Sequence, residues 1–131
     1  MAMRWESFLQ RVEERGEYPD PKHAEEAVRV VLGLLGAHLV GEERAQLAAP
    51  LPQRCSMLLL APAAAAEPLG PEQFLRAAAP WIDGASQETV HRDVGAVLSV
   101  VAEAADPELM ERVLLQLPPG YDLFFARPDR L

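Results

Sequence analysis

Residues 8–60 align with residues 74–126 at a constant offset of 66 and without a gap. A unit written twice constrains architecture more tightly than any single motif. Phe8-Leu9 recurs as Phe74-Leu75, Val28 as Val94, Val31-Leu32 as Val97-Leu98, Glu42 as Glu108, and Leu51-Pro52 as Leu117-Pro118. These are eight identities over 53 positions, so few that composition nearly supplies them. The order carries the reading: helix starts, apolar runs and Leu-Pro stops all fall in register.

Each copy begins with an amphipathic stretch. Trp5, Phe8, Leu9 and Val12 stand at the spacing of one helix face, with Glu6, Gln10, Arg11, Glu13, Glu14 and Arg15 on the other. Gly16 through Pro19 breaks this helix. Asp20 then reads as an N-cap with Pro21 in the first helical position, and Ser86 takes the capping place in the second copy. The helices that follow are apolar nearly all round, through Val28, Val31, Leu32 and Leu35 in one copy and Val94, Val97, Leu98 and Val101 in the other. A helix with no polar face is covered on most sides, so these two are the expected central helices. Their Val-rich runs also suit buried strands, but each is too long and shows no period-2 alternation.

A third helix per copy ends at Leu51-Pro52 and Leu117-Pro118, because the residue before proline is pushed out of the helical region. In the second copy Asp106 caps it and Pro107 opens it. Gly41 aligns with Pro107, whose φ is fixed; if the copies superpose, Gly41 is an ordinary helix-start residue. Short apolar segments, Met57–Leu60 and Leu123–Phe125, predict a stubby fourth helix in each copy. Between the copies, three prolines and a glycine within 61–71 predict a semi-stiff linker. The polar tail 127–131 is expected to fray.

The 131 residues suit one domain with a substantial core, half of them being apolar. Net charge is −8, with 7 basic against 9 acidic residues in 1–60 and 5 against 11 in 61–131. Lys22 is the one lysine and the arginines are dispersed along the chain, so neither nucleic acid nor anionic lipid is an expected partner. The lone Cys55 makes no internal disulfide and suits a reducing compartment. Residues 1–5 lead into a charged amphipathic segment, not a signal core, and the longest apolar run covers 14 residues, too short for a bilayer. The expected location is the cytoplasm.

Few residues qualify for chemistry. Glu88-x-x-His91 has the spacing of half a di-iron site, but its aligned positions hold Lys22 and Glu25, and the nearby His23/Glu26 pair is reversed and out of register. A polar first turn is the plainer interpretation. Cys55 has no histidine locally tied to it, and a free cysteine is usually a small buried hydrophobe. His38 stands near a helix C-terminus, where a cation is favoured. Gly33 and Gly36 lie inside a helix pattern without the context of a phosphate loop, and align with small Ser99 and Ala102. Close crossing of the two central helices at these positions is therefore expected. Asp83, Glu88, Asp93, Glu103, Asp106, Glu108 and Glu111 lack calcium-loop spacing and read as a solvated face, with an acidic docking surface for a basic partner as the minority alternative.

With Phe-Leu, then Val-Val-Leu or Ala-Val-Leu inside the long helix, then Glu and Leu-Pro, residues 5–126 resemble the bacterial domain-of-unknown-function family 2267. The resemblance implies paired helical units and supplies no activity, substrate or catalytic residue. The chain departs from the pattern in its Pro/Ala-rich spacer.

The expected fold is all-α: one domain over 1–131, with a first unit at about 4–60, a linker at 61–71 and a second unit at about 72–126. Each unit has three helices and a short C-terminal one, packed pseudo-symmetrically around two buried central helices. No catalytic, cofactor-binding or metal-ligating residue is predicted, and no cofactor. The expected function is a non-enzymatic module that binds a protein partner of unknown identity or a second copy of itself. The alternative is a small-ligand or metal-binding protein using the cleft between the units.

Overall fold

The computed structural model describes residues 3–16, 21–39, 41–60, 70–81, 87–118 and 120–125. The expected caps Asp20 and Ser86, most of the 61–71 linker, Asp83 and the tail lie outside the described residues. Among the described residues seven α-helices follow one another: α1 (Trp5–Gly16), α2 (Pro21–Ala37), α3 (Gly41–Ala48), α4 (Gln53–Leu60), α5 (Pro71–Ala78), α6 (Gln87–Ala104) and α7 (Pro107–Gln116). Two 3-10 turns, Ala79–Trp81 and Tyr121–Leu123, complete the set. The fold is all-α, with no strand among the described residues. None of its described helices is long and apolar enough to cross a membrane.

Helices α1, α2 and α3 start at residues 5, 21 and 41, and α5, α6 and α7 at 71, 87 and 107, each pair separated by the offset of the sequence alignment. Helix α3 does begin at Gly41, as α7 begins at Pro107. The second proline-terminated segment differs from the first. Gln53–Leu60 makes two turns of α-helix, whereas the later segment makes only the 3-10 turn, entered through Gly120 at φ 104°.

The apolar sequence of α2 and α6 buries them. Val28, Val31, Leu32 and Leu35 are fully covered, as are Val94, Val97, Leu98 and Val101. The two helices touch each other, α1 packs on both, and α5 packs on both. Helix α4 lies on α2, and α3 bridges α4 and α7. The buried side chains of all seven helices form one hydrophobic cluster.

Polar contacts reinforce these packings. Glu103 of α6 accepts from Arg11 at 3.2 Å and pairs with Arg15, both on α1. Arg112 of α7 donates to Gln46 of α3 at 2.9 Å, and Gln116 donates to Glu43 at 2.8 Å. The C-terminal end of α2 is capped by side chains: Nδ1 of His38 donates to the Leu34 carbonyl at 2.8 Å and Arg44 to that of Gly36 at 3.3 Å.

The small residues of α2 do not act where the sequence placed them. A Cβ on Gly36 would stand 2.5 Å from the Leu59 carbonyl oxygen, so the close approach is to α4 and not to α6. Around Gly33 a Cβ would meet nothing within 4 Å. Ser99 is half-buried against α1, where its hydroxyl accepts from Arg15 at 2.8 Å.

Candidate functional site

An open groove of about 660 Å³ lies beside α5, the first turns of α6 and the 3-10 turn at Tyr121. Its floor is apolar, through Leu75, Ala79, Val90 and Phe124, and Leu123 stands 78% exposed at its edge. Glu72, Arg76, Glu88 and His91 supply the polar rim.

Local sequence fixes this shape. Pro71 opens α5, and Gln73 turns its Oε1 back to accept from the Gly70 N–H at 3.0 Å. Phe74 points inward and meets Tyr121 edge-on at 5.6 Å, while Tyr121 meets Phe124 at the same distance. His38 completes the cluster from the end of α2, 5.7 Å from Phe74. Gly120 closes one end of the groove. Its φ of 104° suits glycine, and a Cβ there would lie 2.8 Å from Pro71 Cγ. The aligned residue of the first copy is Arg54, which instead lies inside α4 with its guanidinium 4.9 Å above the Trp5 ring.

Glu88 and His91 both sit on this groove, exposed, on the first turns of α6. The His91 ring meets Phe124 edge-on at 5.7 Å. No third ligand-type side chain joins them: among the described residues no group of three or more His, Cys, Asp or Glu converges. His23, Lys22 and Glu25 are exposed on α2, and Glu25 pairs with Arg54 at 3.6 Å. Cys55 is fully buried, and that burial pushes its thiol up to about 12, leaving almost no thiolate at neutral pH. Burial likewise raises Tyr121.

Asp93 departs from the solvated acidic face read in the sequence. It is 1% exposed, and its Oδ1 lies 3.9 Å from the Arg92 Nε. Sequence did carry the signal: Asp93 stands one turn from Val90 and Val97 and aligns with Ala27, on the covered face of a central helix. Of the other acids, Asp106 caps α7 by accepting from the Glu108 N–H at 3.0 Å. Glu108 and Glu111 are exposed.

A second cavity, about 290 Å³, adjoins the groove and shares His91, Leu123 and Phe124 with it. Arg15 of α1 forms one wall, and Arg92, Gly95 and Ser99 of α6 form the other. Arginines dispersed in sequence are therefore gathered in space. Arg15 and Arg11 share the single carboxylate of Glu103. No linear pattern announces this site, since Arg15 and Ser99 are 84 residues apart.

Residues 5–124 match the family described as an uncharacterized conserved protein, DUF2267. No individually curated protein matches the chain. The family's description carries no activity and no ligand.

Proposed function

The chain belongs to the uncharacterized conserved family DUF2267, and we propose that it is a non-enzymatic protein-interaction module that docks a partner helix in the groove beside α5. The observation that carries this is the open, apolar floor of Leu75, Ala79, Val90 and Phe124 with Leu123 78% exposed beside it. An amphipathic helix recognises such a surface through apolar anchors one turn apart. Net charge of −8 disfavours nucleic acid and anionic membrane as the partner. The free, buried Cys55 fits a reducing, cytoplasmic setting.

The test is affinity capture from the native source followed by mass spectrometry, with three baits. Leu123→Asp places a charge at the edge of the groove, and Leu115→Asp places one on α7, where Leu115 is 85% exposed and away from the groove. The docking function predicts a protein retained by wild type and Leu115→Asp and lost by Leu123→Asp. The same proteins retained by all three baits would reject the groove as the docking surface.

A second reading, a small-ligand protein, is favoured by the basic cavity that opens into the groove. Its volume with the groove falls within the usual range of ligand sites, about 300–1,000 Å³. With Arg15 on one wall and α6 on the other, this cavity lies where the two halves of the chain meet.

A further inference from the structure

We propose that the cavity between Arg15 and Arg92 is an oxyanion site, and that with the adjoining groove it binds an aliphatic carboxylate, head in the cavity and chain along the apolar floor. The proposal deepens the small-ligand reading and rests on it.

Charge is the first argument. The protein carries −8 overall, yet this cavity is lined by two guanidinium groups and the His91 imidazole, with a serine hydroxyl beside them. Glu103 pairs with both Arg11 and Arg15, so a single carboxylate serves two guanidinium groups at this wall. Arg92 is 46% exposed, and the carboxylate of the buried Asp93 lies 3.9 Å from its Nε. Guanidinium groups in this situation bind carboxylates and phosphates through charge-assisted hydrogen bonds. Arg15 is also held in place, donating to Ser99 Oγ at 2.8 Å, while that hydroxyl donates to the Ala96 carbonyl at 3.1 Å. A positioned donor loses less freedom on binding than a loose one.

Continuity is the second argument. His91, Leu123 and Phe124 belong to both cavities, so a ligand leaving the arginines meets the apolar floor at once. The larger groove offers mostly apolar side chains, and its own arginine, Arg76, faces Glu72 at 3.9 Å. A ligand with one anionic end and a saturated chain matches both parts. Gly95 lies on the cavity wall, and a Cβ added there would meet nothing within 4 Å. That open space belongs to the ligand in this assignment.

The experiment is calorimetric titration of the purified full chain with decanoate, below its aggregation concentration, alongside decanol, acetate and inorganic phosphate. Decanoate is expected to bind saturably, at least about ten-fold more tightly than decanol, which lacks the charge, or than acetate and phosphate, which lack the chain. Arg92→Gln should weaken decanoate by about ten-fold and leave decanol unchanged. Gly95→Leu should fill the cavity from its wall and abolish the preference for decanoate over decanol. Its room for a side chain and its improved helix propensity keep the fold intact, which a melting curve checks. Equal binding of decanoate and decanol, insensitive to Arg92→Gln, would overturn the carboxylate assignment while leaving an apolar-ligand protein. Absence of binding by all four probes would overturn the small-ligand reading together with this proposal.

Discussion

At Gly36 the main chain of a neighbouring helix limits what side chain the sequence can carry. A methyl group there would press on the Leu59 carbonyl at 2.5 Å, and the atom in the way is backbone, which cannot rotate aside. Gly36→Ala should therefore lower stability by about 1–3 kcal/mol, the usual cost of overpacking. Gly33→Ala, with nothing within 4 Å, should raise stability by up to about 1 kcal/mol through helix propensity. Urea midpoints moving in opposite directions for these two variants are the expected result; equal midpoints would dismiss the α2–α4 contact as a packing constraint. Smallness at positions 33 and 36 was legible in the sequence, but the neighbour was not, because a small residue announces close approach without saying to what. Asp93 teaches the complementary lesson. Residue type suggested a solvated acid, whereas its place one turn from Val90 and Val97 puts it on the buried face of α6.

At the scale of elements the chain was readable wherever a local rule operates. Pro21, Pro71 and Pro107 each open a helix, and the Leu-Pro pairs follow the ends of α3 and α7. Asp106 caps α7 through the Glu108 N–H, as its position before Pro107 suggested. Asp106→Ala should cost about 0.5–2 kcal/mol, the usual range for losing a capping side chain. Chemical denaturation with an unchanged slope would measure it, and no change in midpoint would mean that packing alone sets the start of α7. The expected stubby helices came out unequal, a two-turn helix at Gln53–Leu60 and a 3-10 turn at Tyr121–Leu123. Gly120 accounts for the difference: it turns the chain at positive φ against Pro71, where the aligned Arg54 continues a helix. The groove exists because of that turn. It escaped the sequence because α5, α6 and the turn contribute its wall from three separate segments.

At the scale of the molecule, one packing arrangement produces both the core and the two concave sites. Helices α2 and α6 each bury a long apolar face, and each finds cover from both halves of the chain, α1 and α5 each packing on both. The same interlocking brings Arg15 against α6 and so assembles the basic cavity, which composition could not foretell from an acidic chain with scattered arginines. Residues 1–60 on their own would leave the α6-facing side of α2 and of α1 uncovered, in a fragment of a size at which stability is already marginal. The most direct measurement is sedimentation and circular dichroism on the isolated 1–60 fragment. A shared core predicts a fragment that is unfolded, aggregated, or dimeric in a way that replaces the missing half. A monomeric 1–60 fragment that unfolds cooperatively would contradict it.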